Sequence, residues 1–392
     1  MTGRLHVVYI IQSYLPVVGG AERQVATLAQ PLWQEGIEVT VVTRRYPGLA
    51  PFESVEGVPV HRLPIPGSKV TAAFSFTVTS LLLLLHRLRP SLIHAHELQS
   101  PSTIAVVAKY LLGGVPVVAT PHRGGYLGDI DRLQQRPFGR SRLALLKRHV
   151  DAFVTISREI DAELEQVGVP AARRIPIPNG VDTDRFMPLA AEARQSLRAE
   201  LGLPGAAVAV FAGRLAAEKR VDQLIAIWPA VRAAHPDARL LLLGTGPEEA
   251  ALKQSAIEGV QFVGRVDDVL PYLQAADVFV LPSVTEGLSV ALLEAMATGL
   301  APVATAVGGT PELIDHGQNG WLIPPNDPAV LQNALVTLFA RQEQRTQMGQ
   351  CSRKRIVRDY ALPVIARRLR ILYDQLVTGQ PVTVGSPLSR SS

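Results

Sequence analysis

The amino-acid sequence predicts an α/β protein built from two successive doubly wound domains, and three observations carry that prediction. The chain has 392 residues, enough for two domains of ordinary size. Short apolar runs alternate with helix-length segments from end to end. That alternation stops once, at a stretch interrupted by proline and glycine, and then starts again.

Strands of the first half are expected at Leu5–Ile11, Glu38–Thr43, Leu92–His94, Val115–Thr120 and Ala152–Ile156. They are apolar along their length instead of alternating, which marks a parallel sheet covered on both faces. Helices are expected between them, at Ala21–Gln34 and Ser100–Leu112. Strands of the second half are expected at Ala207–Ala212, Arg239–Leu243, Val260–Val263, Asp277–Leu281 and Ala301–Thr305. Between the first two, Val221, Leu224, Ile225, Trp228 and Val231 recur at helical spacing and mark one buried stripe. The boundary falls in Ile175-Pro-Ile-Pro-Asn-Gly-Val-Asp182 and the residues just after it. The expected domains are therefore 1–185 and 186–359, followed by a helix over 360–376 and a disordered tail over 377–392. In open parallel sheets ligands bind beyond the carboxyl ends of the strands. A single cleft between two such domains facing each other is the expected active site.

Composition narrows the class. With 47% apolar and 19% charged residues the chain reads as globular, and with 5% aromatics its interior must be aliphatic. Cys351 is the only cysteine, which excludes an intrachain disulfide framework and a cysteine-cluster metal site. Leu5–Ile11 lacks a cleavage-site pattern after it and does not read as a secretory signal. The most lipid-like stretch, Val78–Leu85, reads as too short to span a bilayer and runs into His86 and Arg87. A cytoplasmic protein is expected, peripheral at the inner membrane face if it meets lipid.

Charge is unevenly spread. Residues 1–185 hold 20 Lys and Arg against 15 Asp and Glu, residues 186–352 hold 11 against 17, and residues 353–392 hold 8 against 2. Arg132, Arg136, Arg140, Arg142, Lys147 and Arg148 form a run without a carboxylate, interleaved with Leu133, Phe138, Leu143, Leu145 and Leu146. Such a run suits anionic lipid headgroups or an acidic acceptor, or is simply a solvated helix face. No nucleic-acid motif accompanies it, so nucleic acid is not an expected partner.

Three segments carry the chemistry. In Thr285-Glu-Gly-Leu-Ser-Val-Ala-Leu-Leu-Glu-Ala-Met-Ala-Thr-Gly299, Glu286 and Gly287 fall at a strand's carboxyl end and Ser289 is placed to cap the next helix. The open amides of that helix start suit a phosphate. Glu294 is the only charge in a helix apolar on nearly every side, so it needs a strong partner or a wet cleft. Ribose hydroxyls would donate to it, and a structural arginine is the alternative partner. In Val208-Ala-Val-Phe-Ala-Gly-Arg-Leu-Ala-Ala-Glu-Lys219, Gly213 ends a strand, so Arg214 and Lys219 are two cations at its edge, suited to a diphosphate. Glu218 could instead neutralise one of them as a surface pair. Gly19 and Gly20, in Gly19-Gly-Ala-Glu22, let a phosphate or sugar approach the backbone, and Gly244-Thr-Gly246 is a weaker turn of the same kind. The dinucleotide fingerprint spacing is absent, which disfavours hydride transfer.

His122 lies just past a strand end and so faces the expected cleft. A metal site of His94, His96 and Glu97 is disfavoured because adjacent strand positions face opposite sides. Asp129 and Asp131 have the spacing of a cation-binding pair, but a loop beside the basic run is expected there, and no metal dependence is expected.

Together these segments resemble the retaining glycosyltransferases of family 4, from about Leu5 to Leu376. Glu286 and Glu294, Gly213-Arg214 with Glu218-Lys219, Gly19-Gly-Ala-Glu22, Pro178-Asn-Gly-Val-Asp182 and Ala306-Val-Gly-Gly-Thr-Pro-Glu312 match that family's motifs in order. The resemblance implies the GT-B fold, two facing Rossmann-like domains with a carboxy-terminal helix crossing back to the first. With that helix the first domain is expected to reach a net charge of about +11, opposite a donor domain of −6. It implies transfer from a nucleotide-sugar, UDP-sugar favoured over GDP-sugar, to a glycan, lipid-linked or small-molecule acceptor, with no cofactor. It assigns the ribose to Glu294, sugar hydroxyls to Glu286, the diphosphate to Arg214, Lys219 and backbone amides near Gly20 and at Leu288 and Ser289, and the anomeric region to His122. Arg123 and Ser289-Val290 depart from or vary within the family and bear on the donor. A non-catalytic nucleotide-sugar-binding protein, or an epimerase or phosphorylase on the same fold, are the rival readings.

Overall fold

Strands that are apolar on both faces must be covered on both faces, and the chain meets that demand with two sheets, the first parallel but for one hairpin and the second parallel throughout. A computed structural model describes residues 4–382 apart from 18, 204, 206 and 256. It divides into a first unit, Met1–Gly180 with Leu362–Ser392, and a second unit, Val181–Ala361. The division lies slightly ahead of the expected 185/186 boundary and slightly beyond 359/360.

The first unit contains β1 (Leu5–Ile10), β2 (Ile37–Arg44), β3 (Phe52–Val55), β4 (Val58–Leu63), β5 (Leu92–His96), β6 (Val117–Thr120), β7 (Ala152–Thr155) and β8 (Arg174–Pro176). Their order in one sheet is β3-β4-β2-β1-β5-β6-β7-β8. All neighbours are parallel except the β3–β4 hairpin, which turns at Glu56 and Gly57 with φ of 51° and 84°. The sequence reading missed that hairpin because β4 alternates buried and half-buried residues and β3 lies exposed at the edge. It missed β8 because three residues make no pattern.

The carboxy-terminal helix, Leu362–Thr378, buries Leu362, Ile365, Ala366, Leu369, Leu372 and Tyr373, a stripe at helical spacing. That stripe packs on the helix Gly20–Gln34, and Arg370 donates to the Glu35 carbonyl at 2.6 Å. The helix thus starts later than the expected 360 and includes Val377 and Thr378, which the expected tail had claimed. Residues 383–392 of that tail lie outside the described residues. The chain leaves for the first unit only at Leu362, so Arg353, Lys354, Arg355 and Arg358 stay with the second. The first unit therefore holds 23 Lys and Arg against 14 Asp and Glu, a weaker asymmetry than the expected +11.

The second unit contains β9 (Val208–Ala212), β10 (Arg239–Leu243), β11 (Val260–Gly264), β12 (Val278–Leu281), β13 (Ala301–Thr305) and β14 (Trp321–Ile323). Their order is β11-β10-β9-β12-β13-β14, and every pairing is parallel. Counted from β9 this is 3-2-1-4-5-6, the order of nucleotide-binding doubly wound sheets, reversing between β9 and β12. Asp277 fixes the amino ends of those two strands. It accepts from the Val208 amide at 2.8 Å, Arg194 at 2.8 Å and Arg198 at 3.1 Å. Burial alone would raise its pKa, but Arg198 and Arg194 outweigh burial and hold it below the usual range.

Two surface segments of the first unit differ from their sequence reading. The apolar stretch Val78–Leu85 belongs to a longer helix, Lys69–Leu83, prolonged by a wider turn over Leu84–Leu88. The span Val70–Leu88 has a mean hydropathy of 1.4 and is long and apolar enough to cross a membrane by length and composition, yet only 17% of it is buried. The sequence disguised this length with Thr and Ser, whose hydroxyls bond back along the helix, Thr77 to the Ala73 carbonyl at 2.8 Å and Thr79 to Ser75 at 2.7 Å. Val70, Phe74, Val78 and Leu82, four residues apart, are exposed. The basic run forms two short helices, Asp129–Gln134 and Gly139–His149, with Leu133, Leu143 and Leu146 buried. Arg142 is committed to the fold, donating to Thr103 Oγ1 at 3.2 and 2.9 Å, so only Arg136, Arg140 and Arg148 of the run are fully exposed.

Candidate functional site

In the second unit the loops that carry the candidate residues follow the two strands where the order reverses. Because β9 pairs with β12 through Ala209–Val278 and Val210–Phe279, their carboxyl ends emerge side by side. The loop after β9 runs through Gly213 and Arg214 to a single tight turn, Ala217–Lys219. The loop after β12 carries Ser283, Glu286 and Gly287 to Ser289. Backbone bonds tie these loops together: the Val284 amide donates to the Glu218 carbonyl at 2.9 Å.

That tie brings Lys219 Nζ to 2.6 Å from Glu286 Oε1, and Ser283 Oγ donates to the same oxygen at 2.7 Å. The Glu286 side chain is 8% exposed and Lys219 19%, so this pair is shielded from solvent far more than a surface ion pair. Glu218, the alternative partner for these cations, instead contributes its carbonyl to the loop. Arg214 is exposed, and no described residue pairs with its guanidinium.

Gly244 and Gly246 begin the turn after β10 and press on the loop after β9. Gly244 has φ of 126°, and a Cβ there would collide with the Gly213 carbonyl oxygen. The Leu215 amide donates to the Thr245 carbonyl and the Glu248 amide to the Leu215 carbonyl, both at 3.0 Å. Close approach of two backbones accounts for these glycines without a ligand. Gly308, with φ of 55°, packs in the same way on the Glu286 carbonyl, while the Gly309 amide donates to the Gly287 carbonyl at 2.7 Å. The position of Glu286 is therefore held from both sides.

Ser289 caps the helix Val290–Ala297, its Oγ accepting from the Leu292 amide at 3.3 Å. Leu288 before it is buried. Glu294 lies within that helix at 3% exposure, between buried Leu293 and Ala295, and it is not without a partner. Its burial matches the expectation from its apolar neighbours and leaves both assignments of its partner in play.

In the first unit, Gly19 precedes the helix Gly20–Gln34 and offers no side-chain cap; Glu22 in the first turn accepts from Ser13 Oγ. Gly19 has an extended backbone open to any residue, φ −139°. His122 follows β6, its amide donating to Asp129 Oδ2 at 2.7 Å. Asp129 is thereby a buried backbone acceptor, 2% exposed, while Asp131 is an ordinary half-buried partner of Gln135. Among the described residues no group of three or more His, Cys, Asp or Glu is arranged to hold a metal.

Behind His122 lies a network that sequence reasoning missed. His122, His96 and His94 stack in a row, with ring centroids 5.2 and 4.4 Å apart. His96 Nδ1 is 2.9 Å from His122 Nε2. His94 bonds Thr120 Oγ1 and the Tyr373 hydroxyl, each at 2.6 Å, and Tyr373 meets Tyr9 at 2.9 Å. The signal was the His-x-His spacing itself, since alternate residues of a strand share a face. Burial keeps these rings neutral, lowering His122 to about 4, with the Arg123 charge adding to the effect, and His94 to about 3. Next in the chain, Glu97 takes a left-handed backbone, φ 74°, and its carboxyl is pushed up to about 7 by burial, then by Asp129 and Glu22. In the sequence Glu97 stands out only as a disfavoured metal ligand.

Comparison with known proteins gives two family matches. The model described as Glycosyltransferase Family 4 matches residues 18–185, and the one described as Glycosyl transferases group 1 matches residues 206–341. A glycogen synthase of Mycobacterium tuberculosis is 28% identical over 94% of each chain. A GDP-mannose-dependent monoacylated alpha-(1-6)-phosphatidylinositol monomannoside mannosyltransferase of Corynebacterium glutamicum is 32% identical over 49% of this chain and 54% of its own length. Among solved structures, the Anabaena protein HepE in complex with UDP-glucose superposes with a TM-score of 0.79 over 95% of this chain and all of its own, at 19% identity, a likeness of fold.

Proposed function

This chain belongs to glycosyltransferase family 4, and from that premise we propose that it transfers a hexose from a UDP-sugar, through Arg214, Lys219, Glu286 and Glu294 on the donor side and His122 in the first unit. Transfer from a nucleotide-sugar with retention is the family's reaction. The observation that carries the residue assignment is the shielded Lys219–Glu286 pair at the reversal of strand order, where a doubly wound sheet receives its ligand. UDP-glucose is the ligand bound in HepE, whereas GDP-mannose is the donor named for the Corynebacterium relative.

As the bond from the anomeric carbon to phosphate breaks, positive charge grows on the sugar and negative charge on the diphosphate. Arg214, Lys219 and the amides at Leu288 and Ser289 are the groups suited to that developing negative charge. The bond to the acceptor oxygen forms on the same face, and the acceptor's proton passes to the leaving phosphate oxygen. Glu286, held by Ser283 and Lys219, is suited to accept from sugar hydroxyls, and Glu294 from the ribose. Release of nucleotide from UDP-glucose, GDP-mannose and ADP-glucose, with water as the acceptor, tests the donor. The expected order places UDP-glucose first; faster release of GDP or ADP overturns the UDP assignment.

The first unit is proposed to rest on an anionic bilayer, which favours a lipid-linked acceptor. The contact is the exposed stripe Val70, Phe74, Val78 and Leu82, more than the basic run alone. From Gly57 to His96 the chain contains no carboxylate, and exposed Arg87 and Arg89 lie at the end of the helix. An apolar stripe bordered by cations and free of acids suits an interface of anionic headgroups and acyl chains. Co-sedimentation with phosphatidylglycerol-rich vesicles at low salt is expected to fail for Phe74→Ser with Leu82→Ser, and to lose much of its salt dependence for Arg87→Gln with Arg89→Gln. Equal sedimentation of all three proteins would dispose of the idea.

A further inference from the structure

We infer that His96 is a positioning residue that selects the tautomer of His122, so that His122 presents an Nδ1–H donor towards its substrate. This rests on the reading that His122 touches the donor sugar. The bond between His96 Nδ1 and His122 Nε2, 2.9 Å long, needs one proton between two neutral rings. Two arrangements satisfy it. In one, His122 carries its proton on Nε2 and donates to His96, and His96 then carries its own proton on Nε2. In the other, His96 carries the proton on Nδ1 and donates to His122, whose proton then sits on Nδ1.

The remaining nitrogen of His96 decides between them. His96 is 3% exposed, and its Nε2 is buried without a hydrogen-bond partner. The first arrangement would leave an N–H orphaned there, the second only a bare lone pair. Orphaned buried donors are rarer and more costly than unsatisfied acceptors. The second arrangement is therefore the favoured one. It turns the edge of His122 away from His96 into a donor, and no described residue binds that Nδ1. A donor at this edge takes a sugar hydroxyl through its oxygen lone pair, whereas an acceptor there would take the same hydroxyl through its O–H, so the tautomer sets which way that hydroxyl points.

The rest of the row keeps His96 from turning. His94 stacks on its other face with planes 21° apart, and Tyr9 packs against it with ring centroids 4.8 Å apart. His94 is itself fixed at both nitrogens by Tyr373 and Thr120. A ring flip of His96 would break its bond to His122, so its orientation is set by the carboxy-terminal helix through Tyr373 and His94.

The test is a set of variants followed by nitrogen-15 imidazole spectra and by UDP-glucose hydrolysis. His96→Phe keeps the stacked ring and removes the bond, while His96→Asn keeps a polar atom near the Nδ1 position. In the wild type His122 is expected to show a protonated Nδ1. In His96→Phe it should become a mixture of tautomers, with kcat down on the order of tenfold and the KM for UDP-glucose nearly unchanged. His96→Asn should recover most of the loss. In a His122→Ala background, His96→Phe should add nothing, since the two act through one contact. A wild-type His122 protonated on Nε2, or an equal loss from His96→Phe with and without His122, overturns the inference. If His122→Ala leaves turnover intact, the parent reading of His122 fails instead.

Discussion

Glu294→Ala is expected to lose about half or more of the thermal stabilisation that UDP gives the wild-type protein. A ligand at about a hundredfold over its Kd stabilises the native state by roughly 2.7 kcal/mol, an easily measured shift. A hydrogen bond to a charged acceptor contributes about 1.5–3 kcal/mol, so removing the carboxylate should weaken UDP by roughly ten- to a hundredfold. Scanning calorimetry with UDP, GDP and ADP on both proteins reads affinity and fold stability together. Lost UDP stabilisation with an unchanged ligand-free Tm supports the ribose assignment. A lower ligand-free Tm with intact UDP stabilisation would mean that Glu294, 3% exposed and already partnered, serves the fold.

The second large effect is expected at Lys219. Lys219→Ala should lower kcat by about a hundredfold or more, as the loss of one preorganised group facing developing charge does elsewhere. It removes the point charge meant for the diphosphate and leaves Glu286, with its side chain 8% exposed, bonded only to Ser283 among its two described partners. Lys219→Arg keeps the charge but not its compact shape, and partial recovery is expected. Burst and steady-state measurements with UDP-glucose separate chemistry from binding. An unchanged kcat in Lys219→Ala would remove Lys219 from the reaction.

Strands buried on both faces were legible because their residues, such as Val208–Ala212, leave no other environment that suits them. The β3–β4 hairpin was not, since a half-exposed edge needs only alternation and a turn, and Glu56-Gly57 is a quiet one. Glu286 and Lys219 were each visible at a strand end. Their meeting was not, because it depends on β9 and β12 being neighbours, a fact of sheet order that lies between distant segments. Gly244 and Gly246 are open to two readings for a different reason. A turn suited to phosphate and a turn that lets two backbones touch call for the same residue. The His122–His96–His94 row required strands β5 and β6 to pair in register, His94 with Val118 and His96 with Thr120.

Tyr373 is made after the whole of the second unit yet bonds the first strand, through Tyr9, and the middle of the same sheet, through His94. The first unit's core therefore stays open while the ribosome makes everything from Val181 to Ala361, and the helix Gly20–Gln34 waits with its apolar side uncovered. Domains usually mature in the order in which they emerge. Here the later-made unit, continuous in sequence, has all its parts first. A nascent chain of this protein carries a finished second unit while the first waits for the helix Leu362–Thr378 to emerge and close it.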